Sequence, residues 1–150
     1  MAVRLRPMTE AEYKIYREYA VGEYAKDKIA AGTWKPEEAL QHANAEFSQS
    51  MPDGGNFLYI IEDANREQRV GVLWLAVEPS GNGFIYDFEI DEATRRQGYA
   101  TQALAELENV AREKGIEKIG LHVFGHNQAA RALYQKVGYI ETNVNMSKKI

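Results

Sequence analysis

The 150-residue chain contains no cysteine. That absence excludes disulfide bridges, a thiolate nucleophile and every zinc site built on cysteine. Long apolar runs are missing too. The longest, Val70-Gly71-Val72-Leu73-Trp74-Leu75-Ala76-Val77, is far too short to span a bilayer, so no membrane partner is expected. The first residues carry no secretory apolar region, and a cytoplasmic location is expected. Nor is there an excess of positive charge. Eighteen Lys and Arg against 22 Asp and Glu leave a formal net charge of −4. This balance argues against nucleic acid as a partner and is compatible with a cationic small molecule. What is present is an ordinary globular composition, 45% hydrophobic and 27% charged, over a length that suits one domain, residues 1–150, with a core of its own.

Periodicity divides the chain into two halves of different character. Val3-Arg4-Leu5-Arg6 alternates like a strand, and Thr9-Glu10-Ala11-Glu12 is a capping box that opens a helix carrying Tyr13, Tyr16, Ala20 and Tyr24 on one side. Pro36 in a first turn, then Leu40, Ala43 and Phe47, predict a second helix ending before Pro52-Asp53-Gly54-Gly55. Strands follow. Phe57–Ile61 and Val70–Val77 predict an antiparallel hairpin, and the turn signal Pro79-Ser80-Gly81-Asn82-Gly83 returns the chain into a strand over Phe84–Ile90. Ala100, Ala103, Leu104, Leu107, Val110 and Ala111 then keep a helical period as far as Lys114-Gly115. A strand at Ile119–Phe124, reached through that helix, should pair parallel to Phe84–Ile90 by a right-handed crossover. Asn127 caps a short helix that ends at Gly138, and Tyr139–Thr142 with Val144–Lys148 predict a last strand pair.

One segment stands out. Arg95-Arg96-Gln97-Gly98-Tyr99-Ala100 lies between a strand and a helix start, where small residues permit a tight turn and the free N–H groups of the helix carry partial positive charge. This is an anion site of the kind that holds a pyrophosphate. No Gly-Lys-Ser/Thr follows a glycine-rich loop, and no strand-initial Gly-x-Gly-x-x-Gly occurs, so neither the Walker nor the dinucleotide scaffold applies.

With these elements in order, the chain resembles the GNAT superfamily of N-acetyltransferases over nearly its whole length. Ile90 through Ala100 matches that family's Gln/Arg-x-x-Gly-x-Gly/Ala segment, with Arg95, Gly98 and Ala100 in place. Asn127-x-x-Ala130-x-x-Leu133-Tyr134-x-Lys136-x-Gly138-Tyr139 matches a second segment. Glu92 stands where a proline is frequent, and Ala100 where glycine is commoner. The resemblance implies a mixed α/β (α+β) GNAT-like fold: a mostly antiparallel sheet of about six to seven strands, its parallel pair 84–90 and 119–124 splayed, with about four flanking helices. It implies acetyl-coenzyme A as cosubstrate, with pyrophosphate on the backbone of Arg96, Gln97, Gly98, Tyr99, Ala100 and Thr101 beside Arg95. Pantetheine would lie along Phe88, Glu89 and Ile90, near Asn127.

On spacing alone Tyr134 reads as a core aromatic beside Leu133, whereas in the resembling family a tyrosine at this place protonates the departing thiolate, and the register fixed by Asn127 and Gly138 favours that role. Glu89, and behind it Asp87, are candidates to deprotonate the acceptor amine, a water relay being the alternative. Asn127 is both a helix cap and a cofactor contact in that reading. His122 and His126 straddle a strand end and do not converge, so no metal is expected, and His122 is read as cleft-lining or structural. Tyr13, Tyr16, Tyr24 and Trp34 are read as core on the acceptor side rather than as an amine-binding wall. The implied reaction moves acetyl to a primary amine of a small molecule or protein in a ternary complex. The competing reading is a non-catalytic acyl-coenzyme A sensor. A homodimer, with the C-terminal strands paired or swapped between protomers, is compatible with the sequence but not decided by it.

Overall fold

The computed structural model describes residues 2–49 and 51–150. Its elements run β1 (Val3–Pro7), α1 (Glu10–Ala30), α2 (Pro36–Glu46), β2 (Asn56–Asp63), β3 (Gln68–Val77), β4 (Gly83–Ile90), a single 3-10 turn (Glu92–Thr94), α3 (Tyr99–Glu113), β5 (Ile119–Leu121) and α4 (Gln128–Lys136). The strands form one mixed sheet in the order β1-β2-β3-β4-β5; the first three pairings are antiparallel and β4 pairs parallel with β5. A parallel pair needs a crossover, and α3 supplies it.

Each face of the sheet has its own core. Leu73, Leu75 and Ile85 pack with Leu104 and Leu107 of α3, and burial of each such side chain contributes about 1.5–3 kcal/mol. On the opposite face, Tyr13, Tyr16 and Ala20 of α1 cover Leu58, Ile60 and Val72. Small residues, Ala25 against Ala39 and Ala43, let α2 close on α1. The capping box forms as the sequence predicts: Glu12 N donates to Thr9 Oγ1 (3.2 Å) and Thr9 N to Glu12 Oε1 (2.9 Å). Arg6 adds two hydrogen bonds to the same carboxylate and holds it down near a pKa of about 2.

The mixed fold, its parallel pair and its four helices are those expected, but the sheet has five strands where about six to seven were predicted. β5 stops at Leu121 instead of reaching Phe124, because its inner edge meets β4 only from Gly83 to Ile85 and its outer edge meets no strand. The predicted strands Tyr139–Thr142 and Val144–Lys148 form no ladder among the described residues.

Candidate active site

Two irregularities in β4 create the site. The first is its parting from β5. The two strands pair at Gly83, Phe84 and Ile85, after which β4 continues to Ile90 with that edge open. The second is a register shift against β3, where Trp74 faces Asp87 and Leu75 faces Ile85, leaving Tyr86 as an extra residue. Such a bulge turns the side chains beyond it to the other face. Ile85 therefore packs on the α3 side, whereas Asp87 and Glu89 meet α1. In an unbroken strand all three would share one face.

The two carboxylates have different neighbours. Tyr16 donates its hydroxyl to Asp87 Oδ2 at 2.7 Å. Burial outweighs that bond, and with help from the nearby Glu89 charge it pushes the Asp87 carboxyl up to a pKa of about 6. Glu89 accepts from the Tyr19 hydroxyl at 2.6 Å and from Arg95 at 3.4 Å. Burial raises the Tyr16 and Tyr19 phenols well above the ordinary value, so both stay protonated donors. From the sequence Tyr19 is not identifiable as a site residue, and Tyr16 reads as core on the acceptor side. Their spacing of three on α1 is the only signal, and it marks a shared helix face without saying what that face meets.

Beyond Ile90 the chain enters the turn that opens α3. Arg96 has φ 65° and Gly98 φ 85°, a left-handed pair that leaves the N–H groups of Arg96, Gln97 and Gly98 without a backbone acceptor among the described residues. Together with the first free N–H groups of α3, at Tyr99, Ala100 and Thr101, they form a concave donor surface. It lines a cavity of about 220 Å³ bounded by Ile90, Arg95, Arg96, Gly98, Ala100 and Thr101. The Arg95 guanidinium points back, donating to the Ile90 carbonyl at 2.9 Å, and so ties the turn to the end of β4. Tyr99 ties it on the other side through a buried 2.6 Å hydrogen bond from its hydroxyl to Asp63, which lowers the Asp63 pKa. Asp63 also accepts from Asn65 N and Arg66 N; that Asx turn is its only mark in the sequence.

Across the parting stands α4. Asn127 caps it, accepting from Ala130 N at 3.2 Å. Tyr134 lies one helical stretch on, with its ring centroid 6.4 Å from Phe88 and 5.7 Å from Tyr139. Burial raises its phenol pKa, and the Asp87 charge adds to the rise. His126 reaches from the loop before α4 to Asp27 of α1 at 3.7 Å, so the two layers meet at this end of the cleft. His122 packs edge-on against Phe124. Tyr13 and Tyr16 are buried in the α1 core, and Tyr24 and Trp34 pack with α2. Most of the turn Arg95–Thr101 lines one cavity with Ile90; Phe88 and Glu89 lie on the stretch of β4 that leads to it, and Asn127 caps α4, on which Tyr134 meets Phe88; Arg95 and Tyr99 turn their side chains to the protein.

This arrangement has close parallels. The acetyltransferase (GNAT) family model matches residues 13–139. An uncharacterised N-acetyltransferase of Bacillus subtilis, YycN, is 43% identical over 157 residues and covers 100% of both chains. A second uncharacterised N-acetyltransferase of the same organism, YdgE, is 38% identical, over 100% of this chain and 99% of its own. The crystal structure of YycN superposes with a TM-score of 0.94 over 99% of both chains, at 40% identity. With its parted strands, its N–H-lined turn and relatives matched from end to end, the chain belongs to the GNAT family as an acetyl-coenzyme A-dependent N-acetyltransferase.

Proposed function

We propose that the chain, acting as one domain in the cytoplasm, transfers acetyl from acetyl-coenzyme A to the primary amine of a small molecule or protein by direct attack in a ternary complex. The observation that carries this reading is the open β4 edge from Tyr86 to Ile90, continuous at one end with a turn of unclaimed N–H groups and faced by Tyr134. Backbone N–H groups from Arg96 to Thr101 would hold the pyrophosphate, Arg95 would fix their geometry, and Phe88, Glu89, Ile90 and Asn127 would align the pantetheine arm. Acetyl-coenzyme A would supply an activated thioester when bound. The amine nitrogen then bonds to the acetyl carbon and the carbon–sulfur bond breaks.

Tyr134, kept protonated by its burial, gives its proton to the leaving sulfur. Glu89 receives the amine proton, directly or through water. One observation favours Asp87 as a second reading: burial raises its carboxyl to about 6, near the pH at which a general base works. Either acid attracts a cationic acceptor.

Thiol release from acetyl-coenzyme A against a broad amine panel tests the reaction. Tyr134→Phe should lower kcat about 10²-fold or more with little change in the KM for acetyl-coenzyme A. A variant with unchanged turnover across pH would remove Tyr134 from the mechanism. Tight coenzyme A binding with no thiol release from any amine would instead establish the sensor.

A further inference from the structure

The bulge in β4 does more than turn Asp87 toward α1. In a regular strand, consecutive side chains point to opposite faces of the sheet. Tyr86 is the extra residue of the bulge, and its ring meets Trp74 and Phe84, with centroids 5.3 and 5.0 Å away. Trp74 packs against the α1 core, and Phe84 alternates with Ile85, which faces α3. Tyr86 and its neighbour Asp87 therefore lie on the same side of the sheet, which only the bulge permits.

The exposure of Tyr86 is out of keeping with its place. β4 is an inner strand, between β3 and β5, yet Tyr86 is 56% exposed. Trp74 and Phe84 beside it are only partly covered. The three rings are inclined, Tyr86 by 44° to Trp74 and by 60° to Phe84, so their faces are not spent on one another. Their positions are fixed from behind: the Trp74 indole N–H donates to Asn56 Oδ1 at 3.0 Å, and Phe47 packs edge-on at 6.0 Å. An ordered, half-open aromatic surface next to a carboxylate has the make-up of a ligand subsite.

We propose, resting on the acetyl-transfer reading above, that Phe84, Tyr86 and Trp74 form the acceptor subsite, and that the acceptor is a primary amine joined by a short linker to an aromatic ring, with the ring on Tyr86 and the nitrogen at Asp87. The linker is short because consecutive Cα atoms lie about 3.8 Å apart, and ring and acid come from consecutive residues. An aromatic body is the occupant because the platform is itself uncharged. A second ammonium placed there would gain only a cation–π contact with rings open to water, whereas an aromatic ring gains burial and edge-to-face contact together. An aliphatic diamine or a lysine side chain would leave the rings wet. The cofactor does not compete for this surface. The turn that would hold its pyrophosphate lies past Ile90, at the other end of the open β4 edge.

Tryptophan fluorescence reads the subsite directly, because Trp74 is one of two tryptophans and Trp34→Phe leaves it as the reporter. In that background, with saturating coenzyme A, phenethylamine should change the emission and bind about tenfold or more tighter than butylamine or diaminobutane. Adding Tyr86→Ala should abolish the preference, and Tyr86→Phe should keep it. The readout is a ratio between amines on one variant, so a general loss of stability does not imitate it. Equal affinities, tighter binding of diaminobutane, a preference that survives Tyr86→Ala, or no binding of any of the three would each overturn the aromatic subsite. Thiol release tests the underlying reaction separately. Selective binding without acetyl transfer would leave the subsite and remove the reaction, whereas transfer to all three amines with equal KM would leave the reaction and remove the subsite.

Discussion

Asp87 and Glu89 show how two like residues, two positions apart on one strand, acquire different chemistry from their neighbours. Asp87 is enclosed with a single phenol donor, and its pKa rises from 3.8 to about 6. A raised folded-state value means that the native state favours the protonated acid. Its stabilising contribution is therefore complete below about pH 4 and lost as pH rises through about 6. Asp87→Asn keeps an oxygen for Tyr16 and removes the ionisation. The variant should gain on the order of 2 kcal/mol over the parent between pH 4 and pH 7, measured by urea unfolding at both. An equal difference at the two pH values would mean that Asp87 does not titrate in this window. Tyr19→Phe acts on the other acid. It removes the 2.6 Å donor that orients Glu89 and should lower kcat/KM if Glu89 is the base. An acidic limb of the kcat/KM profile that disappears in Asp87→Asn, with kcat/KM unchanged in Tyr19→Phe, would assign the base to Asp87.

At the scale of elements, the site depends on two glycines more than on any side chain. Gly71 sits opposite Ile90, and a Cβ placed there would run into the Glu89 carbonyl. Gly71→Ala should push β4 outward, costing about 1–3 kcal/mol and reducing kcat as the open edge moves. Gly98 is different: a Cβ would meet nothing, but φ of 85° is a conformation that costs alanine about 1–2 kcal/mol. Gly98→Ala should thus raise the KM for acetyl-coenzyme A, with a smaller effect on kcat. Thermal melts and initial rates separate the two cases. The turn itself is legible in sequence because its requirements are local: small residues, a preceding strand and a helix start. The bulge at Tyr86 is not. No residue type marks it, and it arises from fitting Leu75 and Ile85 into one core while Trp74 and Asp87 face the other layer.

The whole molecule is a sheet between two unlike layers, α3 with α4 on one face and α1 with α2 on the other, and the cleft opens where β4 and β5 separate between them. A ligand that bridges the turn and the β4 edge ties α3 to the sheet. Coenzyme A at a hundred times its Kd should add about 2.7 kcal/mol to stability. Hydrogen exchange should slow at Tyr86–Ile90 and at the first turn of α3, while α2 is unaffected. Protection confined to α2 would place the cofactor elsewhere. The sequence by itself determined the order of helices and strands as far as α4, the capping box at Thr9, the anion-binding turn and the family, because each rests on periodicity or on a few adjacent residues. Only the tertiary structure decided which face Asp87 and Glu89 present, that Tyr16 and Tyr19 hold them, and that residues 139–150 form no strand. These depend on the register of β4 against β3 and on where β5 runs out of partner, contacts between residues far apart in the chain that no local pattern encodes.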